Sequence, residues 1–370
     1  MSEKILSIIV PSYNMEKYLP KCLGSLVVAP ELMERLEVLV VNDGSKDRTS
    51  EIAHEFAEKY PQAFRVIDKP NGHYGSCVNR GLSEAMGAYV KVLDADDYFY
   101  TESLANYLVE LKKICAHDSA MPDLILTDYD SVDARSNIPS RRTYAYKPGV
   151  QLPMDGHLNS FVLVQMHAVT YRTELLRDIG YRQTEGIMYT DVEWTTYPLP
   201  YVKTFSYLPL NLYAYLVGRE GQSMAPEVIL KNGRMQVEIA ARLCSAIHGE
   251  HIHDEHRTFY RQVLRRFAPA PYVICLRRAR LADVDEGIKR LDSFAAQKSK
   301  PLFDFLDSVR LPQRNGFPYL RIWRKKRHLS VLQILLLRMY FVMASILSKI
   351  LSLCCVVGSY ASRDAKVPKG

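Results

Sequence analysis

Three carboxylates close one hydrophobic run: in "YVKVLDADD", residues 89–97, Asp94, Asp96 and Asp97 follow directly on Val90, Val92 and Leu93. Like charges held that close repel one another, and a divalent cation is the simplest partner that relieves them. Oxygen donors of this kind suit Mg2+ or Mn2+, ions that commonly share their coordination with substrate phosphates. A helix N-cap accounts for one such acid, because "YFYTESLANYLVEL" follows, but not for three. Two further runs end in ligand-competent groups. "VLVVNDGSKD" delivers Asn42, Asp43, Gly44 and Ser45, although "NDGS" by itself is also a good turn. "IIVPSYN" ends in Pro11, Tyr13 and Asn14, where Pro11 breaks pairing and Tyr13 offers a flat face to a base or sugar.

These groups need elements that bring them together. "ILSIIV", "LEVLVV", "FRVID", "AYVKVLD" and "DLILTDY" are β-branched, apolar runs that read as strands. Between them helical spacing recurs over 19–27, 47–59, 75–86 and 102–115. Strand alternating with helix predicts crossover units and a mainly parallel sheet. In such α/β sheets ligands bind beyond the carboxyl ends of the strands, and that is where all three polar clusters fall. From 130 to 190 the pattern is mixed, and after Gly221 it turns helical and basic, which predicts a boundary near residue 220.

The chain of 370 residues, 48% hydrophobic and 24% charged, can bury a substantial core. Its net charge of +7 is regional, with the acidic knot in the first third and Arg and Lys concentrated in 257–280 and 321–328. Seven cysteines form no C-x-x-C pair, and an odd count suits a reducing compartment better than a disulfide framework. The apolar stretch Ile5 to Val10 is too short for a signal peptide, so the body is expected in the cytoplasm.

Taken together, "IIVPSYN", "EVLVVNDGSKDRT" and "NGHYGSCVNRGLSEAMGAYVKVLDADD" resemble the family-2 glycosyltransferases of bacterial polysaccharide type. The catalytic domain of that family has the nucleotide-sugar-binding fold called GT-A, and the resemblance runs over residues 1–220. It implies that Pro11, Tyr13, Asn14 and Asp43 hold the uracil and ribose of a UDP-sugar. Asp94 and Asp96 resemble the D-x-D signature, which implies Asp96 as the direct contact to Mn2+ or Mg2+ and Asp94 as a contact to ribose or to metal-bound water. Asn71, Gly72 and Asn79 match the segment that lines the nucleotide cleft, or serve loop and helix-start packing. The family supplies a catalytic base from a Glu-Asp pair downstream of the metal motif. "GIMYTDVEW" occupies that place with Thr190 where Glu is usual, which implies Asp191 as the base and Glu193 as the second candidate. Arg219, in "LYAYLVGREGQSM", is placed by the resemblance near the diphosphate. His167 in "QMHAVTYRTELL" reads as a core histidine, with acceptor contact as the alternative.

The activity so implied is inverting transfer of a sugar to a hydroxyl of a saccharide or lipid-linked acceptor, in cell-surface polysaccharide synthesis. No Q-x-x-R-W motif of the processive synthases is present. A nucleotidyltransferase would show a Gly-rich phosphate loop where "IIVPSYNMEKYL" has no glycine, and no nucleic-acid recognition motif accompanies the basic half. A catalytically silent sugar-nucleotide-binding subunit, supporting another membrane transferase, is the alternative that Thr190 keeps open. After a helical region over 221–325, residues 326–358 predict an amphipathic helix, followed by a tail over 359–370. Arg338 and Lys349 interrupt its apolar stretch eleven residues apart and so share one side of the helix. That pattern suits a helix lying on the cytoplasmic face of a membrane, the other readings being a full span or a buried or homodimerising helix.

Overall fold

A computed structural model of the chain describes residues 4–116, 121–219, 222, 225–247, 252–310, 316–344 and 346. It forms two compact units, residues 1–228 with 242–264 and residues 229–241 with 265–370, and the helix Pro226–Ile247 supplies residues to each.

The first unit is built on a ten-stranded sheet. Its strands are β1 (Leu6–Ser12), β2 (Leu36–Asn42), β3 (Phe64–Asp68), β4 (Tyr89–Val92), β5 (Tyr98–Phe99), β6 (Leu124–Asp133), β7 (Pro139–Arg142), β8 (Gln151–Pro153), β9 (Val169–Arg172) and β10 (Thr204–Val217). They lie in the order β3-β2-β1-β4-β9-β6-β10-β5, with β7 on β6 and β8 on β10. Every residue of β1 and β2 is buried, as expected for apolar runs without polar alternation that are covered on both faces. The helix His73–Glu84 packs closely on β1: a Cβ added at Gly81 would stand 2.6 Å from Ile9 Cγ2.

Register decides what these strands deliver. Ser12 pairs with Asn42, Asn42 with Asp68, and Ile9 with Val92, so four parallel strands end along one rim. The parallel arrangement holds for β3-β2-β1-β4 and again for β6 with β10. Elsewhere the sheet is antiparallel: β9 runs against both β4 and β6, and β5, β7 and β8 also pair antiparallel. The expectation of a mainly parallel sheet therefore fits β3-β2-β1-β4 and the long β6–β10 pair, and not the shorter strands added between and around them. Between β6 and β10 the chain returns through short strands and 3-10 turns rather than through long helices, and such returns reverse strand direction. Two register shifts, between Leu208 and Asn211 and between Asn211 and Tyr213, interrupt the pairing of β10 with β6 just before β10 reaches β5.

The second unit is helical, with Ala270–Arg278, Val284–Lys298, Lys300–Asp307, Tyr319–Lys326 and a helix over 331–344. Ser299 caps the helix Lys300–Asp307 by accepting from Leu302 N at 3.2 Å. Arg324, from the basic run, is turned inward, its side chain 11% exposed: it pairs with Asp292 at 2.6 Å and stacks 3.6 Å from the Phe303 ring centre. Along 331–344, Ile334 and Leu337 are buried, whereas Leu332, Leu335, Leu336, Met339, Val342 and Met343 are exposed. Arg338 donates to the carbonyls of Leu276 (2.8 Å) and Ala279 (2.5 Å), capping the end of the helix Ala270–Arg278. It therefore belongs to the packed side of its helix, and the apolar residues take the exposed side. Lys349 and the rest of the expected helix beyond residue 346 lie outside the described residues. Among those described, no helix is long and apolar enough to cross a membrane.

Candidate active site

The ends of β1 and β2 are clipped together. Asp43 N donates to Ser12 O (2.8 Å), Asn14 N donates to Ser45 Oγ (3.0 Å), and Lys46 N donates to Asn14 Oδ1 (2.9 Å). Tyr13, 42% exposed, stands free at the rim, whereas Pro11 is buried in β1 opposite Val41 and does not reach it. The Asp43 carboxylate is buried, and its Oδ1 accepts from Lys69 Nζ (2.5 Å) and Gly72 N (2.9 Å). Asn71 Nδ2 donates to Asp43 O (3.0 Å). Gly44 makes this crossing feasible: at φ +71° a Cβ would lie 3.2 Å from Asn71 N and 3.3 Å from Lys69 O. Lys69 was not among the expected residues. Its signal is its place one residue beyond β3, the fourth parallel strand to end at this rim.

The three aspartates separate by role. Asp97 is buried with both oxygens engaged, Oδ2 by Tyr213 OH (2.7 Å) and Oδ1 by Leu216 N (2.7 Å). The Tyr213 hydroxyl in turn accepts from Asp94 N (3.1 Å), so β10 holds the acidic turn from beneath. Asp94 Oδ1 accepts from Tyr74 OH (2.8 Å), and burial, then the charge of Asp96, push the Asp94 carboxyl up to about 7. Asp96 is ion-paired with the Arg219 guanidinium, which also lies 5.3 Å from the Tyr18 ring centre. Arg219 thus meets the acidic cluster as expected of a residue near the diphosphate, but in this state it neutralises an aspartate.

Asn79 sits on the helix His73–Glu84 and is spent on bracing. Its amide donates to Gln183 O (3.0 Å) and Glu185 Oε1 (2.8 Å), and its Oδ1 accepts from Gln183 N (2.8 Å). This ties the helix to the loop that leads to Asp191. Thr190 is fully buried and donates to Gln183 Oε1 (3.1 Å), after Tyr189 takes the left-handed conformation at φ +69°. Asp191 then opens the short helix Asp191–Trp194 with its carboxylate exposed to solvent. The protein packed around it raises its carboxyl above the ordinary range, and the backbone N–H groups of Val192 and of Asp191 itself moderate the rise. Its charge also acts on Asp94 and Tyr74, which places all three in one electrostatic environment. Glu193, by contrast, is completely buried and accepts from Thr184 N (2.7 Å), Thr184 Oγ1 (2.8 Å) and Arg242 Nη1 (2.8 Å). Its carboxylate braces the loop and has no access to a substrate.

His167 enters the cluster from a turn that sequence alone read as core. A ring nitrogen of His167 and carboxylate oxygens of Asp94 and Asp97 all lie within 4.8 Å of one another. The ring stacks on Tyr215 (centroids 4.2 Å apart) and meets Tyr213 edge-on (4.7 Å). Burial, then the nearby Lys91, push its pKa down to about 3, so the imidazole is neutral.

Parallel strands that release polar groups along one rim, beside a D-x-D pair seated on an antiparallel tyrosine-bearing strand, define the GT-A class of nucleotide-sugar-binding fold. Residues 7–164 match the family model for Glycosyl transferase family 2. It is similar to an uncharacterized glycosyltransferase, the MG025 homolog of Mycoplasma pneumoniae, with 39% identity over 116 residues, 31% of this chain and 37% of that protein. It is also similar to the poly(ribitol-phosphate) beta-N-acetylglucosaminyltransferase TarS of Staphylococcus aureus, with 29% identity over 221 residues, 59% of this chain and 36% of that one. The matched stretches therefore span about a third of those relatives' length. The crystal structure of S. aureus TarS 1-349 in complex with UDP-GlcNAc superposes with a TM-score of 0.60 at 22% identity, covering 92% of each chain, a likeness of fold.

Proposed function

We propose that the chain is an inverting glycosyltransferase that moves a sugar from a nucleotide-diphosphate sugar, of UDP type, to a hydroxyl of a saccharide or lipid-linked acceptor in cell-surface polysaccharide synthesis. One observation carries this: Asp94 and Asp96 on one turn and the exposed Asp191 on another segment share one electrostatic environment, and Asp43 follows a neighbouring parallel strand of the same rim. The relatives' names support the class of reaction, and the UDP-GlcNAc held by TarS supports the class of donor.

In this mechanism the acceptor oxygen attacks the anomeric carbon from the side opposite the diphosphate. The carbon–oxygen bond to the diphosphate breaks, the hydroxyl proton passes to Asp191, and the anomeric configuration inverts. A carboxyl held above the ordinary range by the protein packed around it is a stronger base than an open-surface aspartate. Asp43, with Tyr13, Asn14, Asn71 and Gly72 around it, is assigned to the uracil and ribose. Arg219 is assigned to the diphosphate, turning from Asp96 as the donor arrives. Asp94 and Asp96 would hold the divalent metal, Mn2+ or Mg2+. The fit is in the donor set: crowded carboxylate oxygens, one already lifted by burial and then by its neighbour's charge, and another already matched to a cation. Bound there, the metal supplies electrostatic stabilisation to the leaving diphosphate.

The domain reading follows from the same residues, with the donor and base groups all within residues 1–220. For the second unit we propose peripheral attachment to the cytoplasmic face of a membrane through the helix over 331–344. Its exposed Leu335, Leu336 and Met339, with the exposed Lys325, Lys326 and Arg327 shortly before the helix in sequence, support this.

The test is UDP release from a panel of UDP-sugars, with and without a saccharide acceptor and with EDTA. Asp191→Asn should lose about 10^2 to 10^4-fold in turnover while still binding donor, and Asp96→Ala should lose the metal dependence. Turnover of Asp191→Asn within tenfold of the parent refutes the assignment, and a silent subunit would bind UDP-sugar without releasing UDP.

A further inference from the structure

We propose that His167 is a protein ligand to the same divalent cation, a nitrogen donor beside Asp94 that makes the site prefer Mn2+ to Mg2+. The proposal rests on the assignment of Asp94 and Asp96 as metal carboxylates.

The acidic cluster alone would not carry this, but the imidazole is an independent observation. His167 is 5% exposed, and its Nδ1 is buried with no hydrogen-bond partner, an unsatisfied state that folded chains rarely leave without a reason. The ring also lies beside the acids: one of its nitrogens and oxygens of Asp94 and Asp97 lie within 4.8 Å of one another. Two donors at ~2.1 Å from one ion are at most about 4.2 Å apart, so the apo spacing is close to that of a shared shell. Asp97 does not compete for the ion, because Tyr213 and Leu216 N take both of its oxygens. Asp94 has one oxygen engaged, by Tyr74.

The ring is also held in place from below. Lys91, fully buried in β4, donates to His167 O (2.7 Å) and Val169 O (3.1 Å), pinning the 3-10 turn Met166–Ala168. Tyr215 stacks on one face of the imidazole, and Tyr213 meets it edge-on. A buried lysine spent on two backbone carbonyls is a large investment for a packing residue, and it is intelligible for a ligand whose position must not drift. Imidazole nitrogen favours transition-metal ions over Mg2+, which takes oxygen donors and keeps its waters, so a mixed carboxylate and imidazole set separates the two ions.

The experiment uses the full chain with UDP. Mn2+ affinity is read from loss of the free-ion EPR signal, Mg2+ affinity by competition, and ligation by pulsed EPR on protein carrying natural or 15N-labelled histidine. We expect a coupling from a coordinated imidazole nitrogen that changes with the isotope. His167→Phe, which keeps a ring between Tyr213 and Tyr215, should weaken Mn2+ on the order of tenfold or more and Mg2+ by less than about threefold. Bound Mn2+ that shows no histidine nitrogen coupling overturns the proposal, and so does an equal loss of both ions in a folded His167→Phe. If that variant does not fold, the isotope experiment on the unmodified chain decides. Failure of the underlying assignment is distinct: Mn2+ would then not bind with UDP at all, or would bind equally well to Asp96→Ala.

Discussion

Replacing Glu193 distinguishes a brace from a base. The carboxylate has no exposed surface and accepts three hydrogen bonds, two from Thr184 and one from Arg242. Glu193→Ala strands the Thr184 amide and hydroxyl, at roughly 1–3 kcal/mol for each group that stays dry. The Arg242 contribution is smaller, because that guanidinium is 42% exposed and water takes over its hydrogen bonds. Burial penalises the Glu193 charge, raising its carboxyl above the ordinary range, and deleting the charge returns part of that penalty. The net loss should be about 2–4 kcal/mol, read as a fall in Tm of roughly 5–15 °C for a unit of this size. Glu193→Gln keeps an oxygen toward Thr184 N and loses the charge, for about 1 kcal/mol. In the UDP-release assay Glu193→Gln should retain turnover within about tenfold, far from the 10^2 to 10^4-fold loss of Asp191→Asn. A folded Glu193→Gln, destabilised by no more than the expected ~1 kcal/mol, that is as inactive as Asp191→Asn would show that the wrong carboxylate has been assigned the proton.

Three further outcomes follow from the same geometry. Asp191 works as a base only when unprotonated, and its folded pKa is raised, so turnover should fall as pH drops through a value above the ordinary ~3.9 and be flat above it. A pH–rate profile checks this: Asp191→Glu should keep the acid limb and Asp191→Asn should lose it. Gly44→Ala must take φ +71° with neighbours at 3.2 and 3.3 Å, and should cost about 1–3 kcal/mol by urea denaturation, together with weaker UDP binding. On anionic liposomes, Leu335→Asp with Met339→Asp should lower binding at least about tenfold, each residue forfeiting roughly 1.5–3 kcal/mol of burial, with the remainder falling as salt rises. Unchanged flotation with liposomes would refute the attachment.

Much of the donor side could be read along the chain because its logic is local. An apolar run followed at once by Asp43, or by Asp94 and Asp96, states both the strand and what stands at its end, and parallel strands put all such ends on one rim. Asp191 is implied by the family resemblance rather than by any local pattern. Local pattern does not state the distant partners that decide what a group does. Asp97 looked like a third ligand candidate until Tyr213, 116 residues on, took its carboxylate. Asn79 matched a cleft segment, and its amide serves a loop 104 residues away. Lys69 and Tyr74 are not singled out along the chain, and His167 reads first as a core histidine.

The ordered run of strand ends was therefore set by side-chain type and period, which act over a few residues and survive in a linear text. Which carboxylate is free, which is neutralised by Arg219 and which meets an imidazole depend on β10 and β9 arriving antiparallel beside β5, β4 and β6. Electrostatic state is a property of neighbours within a few ångströms, and those neighbours are assembled only when segments more than 70 residues apart close into one sheet.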